Sequence, residues 1–242
     1  MKGFSVRALC YLTAISALSM LIAVLVIAVL TESAVREVAL KQGQRYSSYL
    51  LADELRQSSD DLTRLARTYV VTGDPRYEQQ YSDILEIRNG RKPRPDSYHR
   101  IYWDFVAAGE EKPRPDTQSN PLQELMQKAG FTEGEFEKLK QAQANSDALV
   151  RTEVIAMNAV KGRFEDGKGG FTVERAPDLD MARQLMHSPD YHKYKANIMR
   201  PVDEFFVLLE QRTTAAIAAA EAKASRYQVA LVGIIVAAIA FI

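Results

Sequence analysis

Two stretches of the chain, residues 8–30 and 227–242, contain no charged side chain, whereas the residues between them mix polar and apolar positions at helical spacing. A helix over the first stretch, rising about 1.5 Å per residue, covers roughly 34 Å, enough to cross a hydrocarbon core. It predicts a transmembrane helix. Lys2 and Arg7 are expected to hold residues 1–7 in the cytoplasm, which sends residues 31–226 to the far side and brings residues 227–242 back. A cleaved signal peptide is the rival reading, because Ser33 and Ala34 follow a basic start and an apolar run; that run is longer than the ~7–15 residues usual in such leaders. The second stretch covers only roughly 24 Å and stops without a polar flank, so it reads as a transmembrane helix cut short at Ile242, with more sequence expected beyond.

In the middle, Leu51, Leu55, Ser58, Leu62, Leu65, Tyr69 and Thr72 recur at steps of four and three, the seam of a helix packed at coiled-coil-like angles. Gly73 predicts its end, and Asp74 with Pro75 the start of a second helix reaching about Asn89. Residues 90–120 break the pattern. Lys92-Pro93-Arg94-Pro95-Asp96 recurs as Lys112-Pro113-Arg114-Pro115-Asp116, and prolines so spaced favour extended, polyproline-like backbone. Between the copies lies an aromatic knot of Tyr98, Tyr102, Trp103 and Phe105, expected to form a short helix. Thr132 and Glu135 then make a capping box, flanked by Phe131 and Phe136 as a hydrophobic staple. The helix they open has a seam of Phe136, Leu139, Gln143, Ser146, Val150, Glu153, Met157 and Val160, and Gly162 ends it.

A Gly-rich loop over residues 162–170 is expected to be mobile, and a short helix to span 178–186. Ser188, Pro189 and Asp190 start the last helix, with a seam of Tyr191, Tyr194, Ile198, Val202, Phe205, Leu209 and Arg212 and a kink at Pro201. The first and last helices read as continuous with the apolar stretches. The fold expected is all-α: an up-down-up-down antiparallel four-helix bundle with a proline-rich insert, flanked by two transmembrane helices.

Composition narrows the chemistry. Basic and acidic residues balance at 31 each, which argues against nucleic acid as a partner. Cys10, the only cysteine, sits in the first apolar stretch, so neither an intrachain disulfide nor a cysteine-built zinc site is expected. Residues 162–169 imitate a phosphate-binding loop, but Gly169 stands where Ser or Thr is needed and a helix precedes it instead of a strand. His187 and His192 are five apart, on different sides of a helix, and His99 is isolated, so no metal is expected. With no nucleophile elbow, HExxH or glycine fingerprint, neither an enzyme nor a cofactor is predicted.

Arg64 and Arg67, three apart on the first seam helix, are the candidate ligand-binding pair, because two guanidinium forks suit the oxygens of a small carboxylate. Tyr69, Tyr102 and Trp103 are the candidate pocket walls. The competing reading makes Arg64 half of a solvated pair with Asp60, and the knot a small satellite core. Glu153 occupies a seam position, where a charge requires a partner, and an arginine or lysine such as Arg64 or Arg67 is expected across the bundle.

Four stretches, SSDDLTRLARTYVVTGDPRY from Ser58, IRNGRKPRPDSYHRIYWD from Ile87, GFTEGEFEKLKQAQANSDALVRTEVIAMNAVKG from Gly130 and YHKYKANIMRPVDEFF from Tyr191, resemble a known family over nearly the whole middle. They are similar to the extracytoplasmic helical sensor regions of bacterial methyl-accepting chemotaxis proteins and of related membrane histidine kinases and diguanylate cyclases. The resemblance implies a homodimeric periplasmic bundle in the inner membrane that receives a small ligand, such as an organic acid or amino acid, and shifts a transmembrane helix. By position, Arg64 and Arg67 match the ligand-binding arginines of four-helix chemoreceptors; the proline-rich insert departs from the plain four-helix pattern. The expectation is therefore the two-pass input module of a chemoreceptor. The alternatives are the input of a kinase or cyclase, and a structural or partner-binding bundle.

Overall fold

The computed structural model describes residues 5–241, except for the side chain of Phe241. Lys2 and Ile242, which help to define the expected cytoplasmic start and the end of the second span, lie outside the described residues. The chain is 77% helical, and the all-α expectation holds. Its helices are α1 (Val6–Thr72), α2 (Pro75–Arg88), α3 (Trp103–Ala107), α4 (Leu122–Lys128), α5 (Glu133–Val160), α6 (Leu179–His187) and α7 (Pro189–Phe241). It packs as two compact units, Met1–Tyr46 with Glu210–Ile242, and Ser47–Leu209.

Local chemistry sets the helix ends. The Asp74 carboxylate accepts from the Arg76 N–H at 2.9 Å to cap α2, with Pro75 as its first residue. At the start of α5 the capping box is complete: the Glu135 N–H reaches the Thr132 hydroxyl, and the Glu135 carboxylate takes the Thr132 N–H. The staple pair Phe131 and Phe136 sits with ring centroids 6.3 Å apart. Gly162 closes α5 at φ +69°, and a Cβ there would lie 2.3 Å from the Arg175 carbonyl oxygen, so no other residue fits without moving the chain.

In the first unit, α1 and α7 each contain a segment long and apolar enough to cross a membrane. Protein covers none of the apolar window of α1 and only 6% of that of α7. In α1 the hydroxyls of this segment bond back into their own helix: Thr13 donates to the Cys10 carbonyl at 3.0 Å, Ser16 to Thr13 at 2.9 Å and Ser19 to Ser16 at 2.8 Å. Ion pairs join the helices beyond these segments, among them Glu37 with Lys223 at 2.8 Å and Arg45 with Glu210 at 3.4 Å.

The Ser47–Leu209 unit holds the core. Leu62, Leu65, Ala66 and Tyr69 of α1 pack with Tyr81 and Ile84 of α2. Leu149, Ala156 and Met157 of α5, Met186 of α6 and Tyr191 and Ile198 of α7 complete that cluster. The predicted seams supply Leu62, Leu65, Tyr69, Met157, Tyr191 and Ile198, while the other members lie off those seams. Tyr194 is an exception, 48% exposed, because Lys195 turns inward instead and donates to the Ser59 carbonyl at 2.8 Å and its hydroxyl at 2.7 Å.

The two KPRPD copies pair with each other, where separate stiff spacers were expected. Pro95 bridges Asp116 in antiparallel sense, the Asp96 N–H donates to the Pro115 carbonyl at 2.8 Å, and the Thr117 N–H to the Arg94 carbonyl at 2.7 Å. Equivalent residues then diverge. Arg94 turns inward to the buried carboxylate of Glu54, while Arg114 donates to the carbonyls of Ser97, Arg100 and Ile101.

The Gly-rich loop is tied down by its own acid. Asp166 accepts from the N–H groups of Lys168 (2.7 Å) and Gly170 (3.0 Å) and from the Thr172 hydroxyl (3.0 Å), contacts that hold its carboxyl below the usual range. It links two-residue strands β1 (Arg163–Phe164) and β2 (Val173–Glu174), an antiparallel hairpin that hydrophobic periodicity did not announce.

Candidate functional site

The candidate arginines turn to different neighbours. Arg64 pairs with Asp61 at 2.8 Å and reaches Asp104 at 3.8 Å, so it is an ion pair on a helix face, although with Asp61 and not Asp60. Asp60 itself is engaged by Arg56 and Lys195. The Arg67 Nε donates to the Met186 carbonyl at 3.1 Å, and its guanidinium lies over the Tyr191 ring, 4.9 Å from the centroid. Tyr69 is a core residue.

The aromatic knot is packed into the same core. Tyr102 meets Trp103 edge to face at 5.1 Å, and the Trp103 indole N–H donates to the Tyr98 hydroxyl at 2.7 Å. The crevice beside Tyr98, Tyr102 and Trp103 is about 10 Å³, room for roughly one water, and carries Glu54 and Asp61. That space is too small for an organic anion and of the wrong charge.

Among the described residues, no arginine or lysine makes a direct hydrogen bond or ion pair with Glu153. Its two carboxylate oxygens accept one tyrosine hydroxyl each, Tyr81 at 2.7 Å and Tyr191 at 2.6 Å, and Tyr191 also lies 3.2 Å from the Thr63 hydroxyl. Burial raises the carboxyl above its usual range, against the opposing pull of both hydroxyls and of Lys195 and Arg67 nearby. Burial also raises both phenols, with the Glu153 charge adding to it. Arg67 thus touches this site through the Tyr191 ring instead of through the acid.

A roomier cleft in this unit lies elsewhere. About 470 Å³ opens between α1, the end of α2, α4 and α5. Its apolar wall is Leu55, Leu122, Met126, Phe136 and Leu139; its polar rim includes Arg88, Gln143 and Asp147. Arg88 ends α2 on the face that buries Tyr81 and Ile84, seven and four positions earlier on the helix. Its Nε is fully buried, and among the described residues no hydrogen bond or ion pair engages it. Burial lowers its pKa, opposed by Tyr81, Asp147 and Glu153. The Asp147 carboxylate accepts from the Gln143 amide at 2.6 Å.

Arg88 is the functional candidate that motif reasoning missed. The rule that singled out Glu153, a charge at a buried helical register, applies equally to Arg88 after Tyr81 and Ile84. The cleft was also foreshadowed by seam positions: Leu55, Phe136 and Leu139 are only half-buried and Gln143 is exposed, since the wall that would cover them stands apart. No protein-family profile matches the chain, and no curated protein or solved structure is significantly similar to it.

Proposed function

We propose that the chain is the ligand-sensing input module of a bacterial transmembrane receptor of the chemoreceptor type. In this reading α1, α2, α5 and α7 form an antiparallel four-helix bundle in the periplasm, carried by two spans of the inner membrane, and the receptor works as a homodimer. The observation that carries the reading is the division of labour within α1 and α7. Each supplies core residues to the polar unit, yet each also has an apolar segment with Leu9, Ile15, Leu21 and Leu25, or Val232 and Val236, more than half exposed. Such a surface is unstable in water and at home in lipid, and hydroxyls bonded to their own helix carbonyls are what a hydrocarbon environment demands. A ligand that prefers one packing of the bundle shifts its population, and α1 and α7 are the elements through which a small displacement reaches the membrane.

A reporter enzyme that is active only outside the cytoplasm, inserted beside Gly167 in the full chain, is expected to be active. Activity only of a cytoplasmic reporter at that position overturns the reading. The homodimer is tested separately. Single cysteines along residues 57–67, in a Cys10→Ser background in native membranes, are expected to crosslink with a period of about 3.6 residues. Absence of crosslinks at every position speaks for a monomer.

A further inference from the structure

We infer that the cleft between α1, α2, α4 and α5 binds a small organic monocarboxylate with an apolar body, its carboxylate held by Arg88. The inference rests on the sensing reading for its purpose, but the site stands on its own geometry. A guanidinium presents five donors in a planar fork, and leaving it half sequestered with no partner carries a desolvation cost that a bound anion would relieve. No protein group among the described residues takes that role. The volume of about 470 Å³ falls within the ~300–1,000 Å³ typical of small-molecule sites. Leu122, Met126, Phe136 and Leu139 provide an apolar wall for the body of the ligand.

Asp147 refines the specificity. It lies on the same rim, makes no ion pair with Arg88 among the described residues, and is bound to Gln143. A second negative charge on the ligand would be repelled by it, so monoanions are favoured over dianions. The cleft is also remote in sequence and in partners from Arg64, whose charge is already used by Asp61 and Asp104.

The test uses the full chain in lipid nanodiscs and the photoprobe 4-benzoylbenzoate, with its neutral amide as control. Labelling by the carboxylate is expected within residues 122–147, to be competed by benzoate, and to exceed labelling by the amide. Arg88→Gln is expected to weaken the apparent affinity about 10- to 150-fold, the effect of losing one charge-assisted contact. Ala144→Trp, on the opposite helix of the cleft, narrows it while keeping the Arg88 side chain and is expected to abolish labelling, which keeps the test decisive if Arg88→Gln lowers the melting temperature. Equal labelling by the amide, or labelling that survives both variants, overturns the proposal. Charge-dependent labelling around residues 60–70 overturns it too, while leaving the sensing reading intact. Absence of saturable labelling also sinks the site; the reporter at Gly167 decides the receptor reading independently.

Discussion

Arg94→Ala is expected to be the most damaging single substitution in the Ser47–Leu209 unit, lowering its stability by about 3–5 kcal/mol. Arg94 is the main counter-charge of Glu54, and the two side chains are only 11% and 9% exposed. The guanidinium also lies over the Tyr98 ring at 5.7 Å and reaches the Asn120 carbonyl at 3.5 Å, so it ties α1 to both ends of the insert. Without it the Glu54 carboxylate is stranded beneath the paired KPRPD strands. For a domain of this size the loss corresponds to a fall in melting temperature of roughly 6–20 °C, readable by circular dichroism. Arg94→Met with Glu54→Leu is expected to recover most of it, because removing both charges removes the desolvation cost along with the attraction.

The effect has a defined pH dependence. Burial already raises the Glu54 carboxyl above its usual range, with Arg94 pulling it back. Removing Arg94 raises it further, so the folded variant holds a proton that the unfolded chain has released. Stability of the variant then falls as pH rises above the usual carboxylate range, and the gap to the parent protein widens in that direction. A gap independent of pH would mean that Glu54 is not the group left stranded.

The second large effect is expected at Glu153. Tyr81→Phe and Tyr191→Phe each remove one hydroxyl donor from a buried carboxylate and are expected to cost about 1.5–3 kcal/mol apiece. The double variant is expected to cost more than either, without strict additivity, since both donors serve one acceptor. Chemical denaturation of the full chain in detergent measures all three. Glu153→Gln isolates the charge. The raised carboxyl of Glu153 means that the folded parent protein is most stable where this acid is protonated and loses stability as pH rises from the usual carboxylate range to the raised value. The deficit of Glu153→Gln is therefore largest at low pH and narrows as pH rises. Arg67, Lys195 and Arg88 act on Glu153 through the same medium, so neutralising any of them is expected to raise the carboxyl further.

These two sites show why buried charges resisted prediction from sequence. A seam position occupied by Glu153 correctly implied a partner, but the type of partner depends on which side chains arrive from elements 72 and 38 residues away. Two tyrosines satisfy a carboxylate as fully as an arginine does, and nothing local distinguishes the outcomes. The repeat of KPRPD was visible, yet its two copies bond to each other and send Arg94 and Arg114 to opposite tasks. That difference comes from the carboxylate of Glu54 facing one copy and open carbonyls facing the other. Arg88 was passed over because an arginine at the end of a helix is ordinarily solvated and stabilising there; only the packing of α4 and α5 beside it turns it into the wall of a cleft.

Helix starts and stops depend on interactions within four residues. The Thr132–Glu135 box, the Asp74-Pro75 start and the Gly73 and Gly162 stops are therefore determined by the sequence alone. The all-helical class and the apolar segments follow from periodicity and composition, which are likewise local sums. The tertiary structure decided everything that requires two distant elements to meet. It took Arg64 and Arg67 to separate partners, packed Tyr69, Tyr102 and Trp103 into the core, and left Leu55, Phe136, Leu139 and Gln143 uncovered around Arg88. Periodicity can name the face of a helix that seeks burial; whether a neighbour arrives close enough to bury it is fixed by the path of the whole chain.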